Sequence, residues 1–260
     1  MTNRFAGLPD ALAIEMRDDI CVVTLNRPEQ ANAVNAELHT ALSQVWSLIS
    51  SNIDIRAVVL TGGGKAFCGG GDLGWFAEIA RNSALRATVF AEARQMIHGM
   101  IELGVPVVAA VNGPAVGLGC SLVLLTDFVV MADDAFLADP HVAVGLVAGD
   151  GGVVSWPLMT SLLRAKEFIL LGDRIPASEA ERFGLANRVV ASEDLMSEAM
   201  RFAVRFAALP STAVRDTKRA LNMHLADSVL RVLDYALAAE SESFLSEEHA
   251  QAMRDLQGRQ

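Results

Sequence analysis

His141 and Asp150 are the pair in this chain whose types and spacing suggest acid–base chemistry. They lie in ADPHVAVGLVAGDGG, the histidine directly after Asp139-Pro140 and the aspartate nine positions later in a Gly-Asp-Gly-Gly turn. A carboxylate that accepts from one imidazole nitrogen fixes the tautomer and leaves the other nitrogen as a base near neutral pH. A lone loop histidine more often serves packing or the surface, so spacing alone leaves the pair open.

Two glycine-rich turns, Gly69–Gly71 and Gly117–Gly119, each precede a helical stretch. Two free backbone N–H groups aimed at one oxygen form an oxyanion hole, and the helix starting near Leu118 would add the positive end of its dipole. The competing reading is that these glycines only permit tight turns and close helix–strand packing. Gly69, Gly71 and Gly74 satisfy G-x-G-x-x-G, but the preceding KAFC is not a long buried strand and no clear βαβ unit surrounds them. A dinucleotide site is therefore not expected. Ser121 lacks the G-x-S-x-G elbow of a serine nucleophile. Cys21, Cys68 and Cys120 have no metal-ligand spacing and read as buried thiols of a reducing, cytoplasmic compartment. Neither a metal nor a redox cofactor is expected.

These groups need strands and helices to position them. Leu12–Met16 and Ile20–Leu25 read as a hairpin around Asp18-Asp19, Asn35 as the N-cap of a helix through Ile49, and Ala57–Leu60 as a buried strand. A helix is expected over Ala84–Leu103, then strands Val107–Val111 and Phe128–Ala132 flanking a helix at Leu118–Leu125, then Phe136-Leu137. From Gly152 the pattern is helical apart from a short strand at Arg188–Val190. Its periodic segments are Leu163–Leu171, Ser178–Phe183, Asp194–Leu209, Thr212–Met223 and Asp227–Leu245. The alternation is that of an α/β protein with a helical C-terminal region.

The chain has 260 residues, a net charge of −10 and 52% hydrophobic residues. That acidity argues against a nucleic-acid surface or an anionic membrane as partner. No apolar run approaches the roughly 18 residues of a spanning helix, and MTNRFAGLPDALAIE does not read as a secretion or transit signal.

Five stretches resemble the crotonase, or enoyl-CoA hydratase/isomerase, superfamily. They are LNRPEQANAVN at 25–35, VVLTGGGKAFCGGGDL at 58–73, PVVAAVNGPAVGLGCSLVLLTD at 106–127, FLADPHVAVGLVAGDGG at 136–152 and LLGDRIPASEAERFGLANRVV at 170–190. The resemblance implies a crotonase-like ββα spiral over 1–195 and a helical trimerisation lobe over 196–260, assembled as a homotrimer or a dimer of trimers. It implies a coenzyme A thioester as substrate, with coenzyme A entering as part of the substrate and not as a separate cofactor. Gly71 and Leu118 would supply the two oxyanion N–H groups, Asp72 would cap the helix after the first turn, and Arg27, Ala31, Ala33, Gly69 and Leu73 would line the CoA and acyl channel. Gly117, Ser121 and Pro140 would adjoin the acyl group.

The chain departs from the family where hydratases carry two glutamates, because Ser121 and His141 stand at those positions. Water addition needs a base for the water and an acid for the α-carbon, and serine serves neither role well at neutral pH. An allylic isomerase needs only one base, which His141, assisted by Asp150, would supply. The Pro140-His141, Gly149–Gly151 and Trp156-Pro157 pattern also resembles the 6-oxocamphor hydrolase branch, which cleaves a β-diketone C–C bond without CoA, although that branch has a histidine where this chain has Leu118. In a dehalogenase branch an aspartate of this loop region is a nucleophile, which would give Asp150 a covalent role. The expectation is an isomerase or lyase acting on an acyl-CoA through an enolate. C–C hydrolysis and non-catalytic acyl-CoA binding are the alternatives.

Overall fold

The computed structural model describes Phe5 and residues 7–258. β1 (Leu12–Arg17) and β2 (Ile20–Leu25) form the expected antiparallel hairpin, with Asp18 taking the left-handed turn conformation at φ 54°. Asn35 caps α1 (Ala36–Ser50) by accepting from the Leu38 N–H, and α1 buries Leu38, Ala41, Leu42, Val45 and Ile49 on one face. β3 (Ala57–Gly62), buried throughout, lies parallel to β2. α2 (Leu73–Arg81) and α3 (Ser83–Glu102) then cross to β4 (Val107–Val111), which is parallel to β3. A βαβ crossover thus does surround the G-x-G-x-x-G match, contrary to the reading from sequence. The glycines still do not form its strand–helix turn, since Gly69 comes well after β3 ends at Gly62 and Gly74 lies inside α2.

After β5 (Ala115–Val116) and α4 (Leu118–Leu124), β6 (Phe128–Ala132) pairs with β4, and β7 (Phe136–Ala138) pairs with β5. Further on come α5 (Gly152–Met159), α6 (Leu162–Leu171), β8 (Ile175–Pro176), α7 (Ala177–Arg182), β9 (Arg188–Val190) and α8 (Leu195–Ala207). Strand order is β1-β2-β3-β4-β6-β9 in a six-stranded sheet and β5-β7-β8 in a second one. The large sheet grows in one direction as the chain advances, and the short strands between its members are diverted to the small sheet. This is the mixed α/β spiral that the five stretches implied.

The C-terminal helices differ in detail from expectation. Residues 212–245 form one helix, α9 (Ser211–Ser243), where the periodicity suggested two. The apolar pattern breaks near Met223 because the buried face is polar before Leu225, where Lys218 occupies it: Leu221 and Met223 are exposed, whereas Leu225, Val229, Leu233 and Leu237 are buried. No glycine or proline lies there to stop the helix. α10 (Glu247–Gln257), capped by Ser246, and the two-residue β8 were not expected. α8 packs on β3, β4 and β6, and α9 packs against α3 and α5. No helix among the described residues is long and apolar enough to cross a membrane.

Candidate active site

The two glycine turns lie side by side because the segments before them pair. Cys68 N–H donates to Pro114 O and Val116 N–H donates to Cys68 O. Gly119 allows the approach, since a Cβ there would stand 2.5 Å from Cys68 Cβ. Gly117 adopts φ 55°, ψ −121°, outside the range of L side chains, and so turns the chain directly from β5 into α4. Leu118 is the first residue of α4, and its N–H has no acceptor among the described residues; nor does that of Gly71, although its neighbours Gly70 and Asp72 both bond to Val34. Both residues line one cavity. Asp72 caps α2 through the Gly74 and Trp75 N–H groups, at 3.0 and 3.3 Å.

His141 enters the same cavity from the other side. Its Nδ1 is 2.5 Å from Asp139 Oδ1 and its Nε2 is 3.4 Å from Asp150 Oδ2. Asp150 Oδ1 accepts from Ser121 Oγ at 3.0 Å. The two positions where the family carries glutamates thus both contact Asp150. The structure differs from the expected dyad in one respect: Asp150 faces Nε2, but Asp139 holds Nδ1, so the second nitrogen is not left free. Glu240 from α9 completes the group, and single ligand atoms of His141, Asp150 and Glu240 all lie within 4.8 Å of one another. A divalent cation could use the same three atoms.

Electrostatics separates these groups. Burial disfavours a charge on His141, but the Asp150 and Asp139 carboxylates outweigh it and raise the imidazole well above its ordinary 6.5. Burial pushes against ionisation of Asp150 too, yet the His141 charge and the His141 and Ser121 hydrogen bonds hold it below its usual range. Glu240 is driven well above 4.5, first by burial and then by the Asp150 charge, and its Oε2 has no hydrogen-bond partner. The shifts thus favour the ionised form of Asp150, the neutral form of Glu240 and the charged form of His141. Two carboxyl groups pushed apart in this way have the electrostatics that base and acid roles require.

The cavity, ≈ 50 Å³, touches Gly71, and so does a larger channel of ≈ 930 Å³. Of the residues singled out in the sequence, Ala31, Ala33, Gly69, Leu73, Asp72 and Pro140 line that channel. Arg27 does not; it lies behind the channel, holding Asp72 Oδ2 at 3.3 Å and the Ala33 carbonyl. Asn32, fully buried, ties this segment to the glycine loop through Gly63 O and Ala66 O. Gly117 packs under the His141 ring. Cys68 beside the site is buried, which pushes its thiol to about 12, so it is no nucleophile. Sequence reasoning passed over Asp139, Glu240, His39 and Trp75. The available signals were a carboxylate two residues before the histidine and a glutamate in phase with the buried stripe Leu233, Ala236, Leu237 of α9.

Residues 15–259 match the family model described as enoyl-CoA hydratase/isomerase. The putative enoyl-CoA hydratase/isomerase YngF of Bacillus subtilis is 35% identical, over 83% of each chain. Among solved structures, an enoyl-CoA hydratase/isomerase from Mycobacterium paratuberculosis superposes with a TM-score of 0.94 at 47% identity, covering 96% of this chain and 99% of that one. ABDH, a β-diketone hydrolase from the cyanobacterium Anabaena, superposes with a TM-score of 0.87 at 26% identity, covering 94% and 98%. With its sheet order, its paired glycine turns and these matches, the chain belongs to the enoyl-CoA hydratase/isomerase family.

Proposed function

We propose that this protein is an enzyme that moves a proton at the α-carbon of an acyl-CoA thioester, with isomerisation or hydration of an enoyl-CoA as the overall reaction. The thioester oxygen sits against the Gly71 and Leu118 N–H groups, which stabilise the negative charge as the enolate forms. In isomerisation Asp150 takes the α-proton and protonated Glu240 returns a proton at the γ-carbon of the dienolate; in hydration Asp150 takes a proton from the water that adds at the β-carbon and Glu240 protonates the α-carbon of the resulting enolate. His141 acts through Asp150: with both ring nitrogens engaged it holds the aspartate ionised and oriented, and it is not itself the base. The observation that carries this reading is the junction at Gly71, where the ≈ 930 Å³ channel meets a cavity with two N–H donors that have no acceptor among the described residues and two carboxyl groups shifted in opposite directions. The enzymes of the matched family and the relatives named above favour a thioester ligand.

A second reading, hydrolysis of a β-diketone C–C bond without CoA, has its own support. Among the described residues Asp72 and Asp255 are the charged residues lining the channel, and no described lysine or arginine lines it. The β-diketone hydrolase among the similar structures was solved with (S)-3-oxocyclohexyl acetic acid bound. Calorimetry with CoA and crotonyl-CoA separates the two. Micromolar binding followed by turnover of an enoyl-CoA panel supports the thioester reading, and no binding at millimolar ligand overturns it in favour of the diketone. Binding without turnover, unaffected by Asp150→Asn, would make the chain an acyl-CoA binder. The proposal includes a homotrimer or dimer of trimers, for which exposed Leu221, Met223, Leu230 and Tyr235 on α9 offer apolar surface.

A further inference from the structure

The wall of the cavity formed by α1 and α2 carries polar groups that the proposed proton transfer does not use. His39 is 4% exposed and lines the cavity together with Trp75, His141 and Asp150. Its Nδ1 is 2.8 Å from Glu92 Oε2, and the other Glu92 oxygen accepts from Thr40 Oγ at 2.8 Å. Burial opposes a charge on Glu92, but the His39 and Thr40 hydrogen bonds prevail and hold it below its ordinary range. An ionised carboxylate on Nδ1 fixes the ring and leaves Nε2, which has no partner among the described residues, as the atom for a ligand. Trp75 packs against this ring at 5.3 Å between centroids, and its buried Nε1–H has no acceptor. Trp46 and Trp156 also lack acceptors, but of the three only Trp75 lines this cavity.

A plain alkyl or alkenyl acyl group leaves both nitrogens unpaired against hydrocarbon, which is costly in a closed site. We propose that His39 and Trp75 form a second polar subsite, which receives a hydroxyl on the acyl side of the substrate, the hydroxyl donating to His39 Nε2 and accepting from Trp75 Nε1–H, and so selects hydroxylated acyl groups over hydrocarbon ones. This rests on the carbonyl-binding reading above and names the substrate class for it. Glu92 and Thr40 act as positioning residues for His39.

The test compares dissociation constants of 3-hydroxybutyryl-CoA and butyryl-CoA, by calorimetry, for the wild type, His39→Leu and Trp75→Phe, with melting temperatures measured for each. One hydrogen bond corresponds to roughly threefold to tenfold in affinity. The wild type is expected to prefer the hydroxy ligand. His39→Leu should reduce that preference by about threefold to tenfold, and Trp75→Phe, which keeps the ring packing and removes only the N–H, should reduce it by about threefold. A strut between α1 and α3 would weaken both ligands alike, and an unchanged preference in both variants overturns the proposal even if His39→Leu is destabilised. If neither thioester binds the wild type, the CoA reading has failed, and the same ratio is read with a cyclic hydroxyketone against the corresponding ketone without the hydroxyl. There too a preference insensitive to both variants overturns the subsite.

Discussion

Asn at position 139 keeps the size of the aspartate and removes its charge, which makes it the sharpest perturbation of the His141 cluster. Asp139 is 1% exposed and meets His141 Nδ1 at 2.5 Å. Its other oxygen has no hydrogen-bond partner and lies 2.6 Å from the position of a Cβ on Gly152, the first residue of α5. Neither orientation of an amide suits this site. With its oxygen on Nδ1, its NH2 group faces the N-terminal end of α5, where donors and positive dipole already gather. Turned over, it presents a donor to Nδ1 and forces the other tautomer. Breaking one side of a buried ion pair costs about 3–5 kcal/mol. At the lower figure, and about 2–4 °C per kcal/mol for a chain of this size, Asp139→Asn should lower Tm by about 6–12 °C. A charge-assisted hydrogen bond contributes about 1.5–3 kcal/mol, so losing the orientation of His141 should slow proton abstraction by roughly 10- to 150-fold. Thermal unfolding and NMR of α-proton exchange on a saturated acyl-CoA in D2O read the two effects. A variant that melts within 2 °C of wild type and exchanges within about twofold would refute the role given to Asp139, because those limits fall well below both estimates.

Other outcomes follow from the same geometry. Ser121→Ala removes one hydrogen bond to an ionised carboxylate and should slow exchange about tenfold, measured in the same assay, with Tm little changed. Glu240→Gln imitates the protonated acid. Because the folded-state pKa of Glu240 is raised, the wild type loses stability as pH climbs above the ordinary 4.5, so the Tm difference in favour of the variant should widen with pH across that window, as calorimetry would show. The charge on His141 stabilises fully below its ordinary 6.5 and is lost as pH rises through its raised value, whereas Asp150 contributes above the usual aspartate range and loses this as pH falls through its lowered value. The rate of exchange should accordingly form a plateau that falls on the acid side as Asp150 is protonated. Asn32→Ala leaves the Gly63 carbonyl without its donor and the Arg27 N–H without its acceptor, while Ala66 O keeps Asn112, and should cost about 2–3 kcal/mol in denaturant unfolding.

Much of the frame was legible in the residues because each strand has its own local signature. Ala57–Leu60 and Val107–Val111 are apolar throughout, as strands covered on both faces must be, and Asn35 and Asp72 each stand directly before the helix they cap. The paired turns were legible for the same reason: only glycine tolerates the backbone of Gly117 or the approach of Gly119 to Cys68. The partners of His141 were not, because partnership is a matter of three dimensions. Asp150 does meet one ring nitrogen, but Asp139, which takes the other, was hidden by its closeness in sequence, where residues two apart are seldom assumed to face each other across a turn. Glu240 lies 99 residues beyond His141 (240 − 141 = 99), on a helix whose polar residues mostly face solvent. Only its phase with Leu233 and Leu237 sets it apart. His39 is likewise concealed between Leu38 and Ala41 on a buried helix face, where a histidine reads as packing.

The central claim is that Asp150 removes a proton from a carbonyl compound held by the Gly71 and Leu118 N–H groups. The most direct measurement is α-proton exchange on a bound acyl-CoA in D2O, followed by NMR for the wild type and Asp150→Asn, with CoA affinity measured on the same samples. General base catalysis is worth about 10²–10⁴-fold, so the account predicts exchange by the wild type and a loss of that size in the variant at unchanged affinity. Asp150→Asn exchanging at the wild-type rate, or a wild type that binds the thioester and leaves its α-protons untouched, would contradict it.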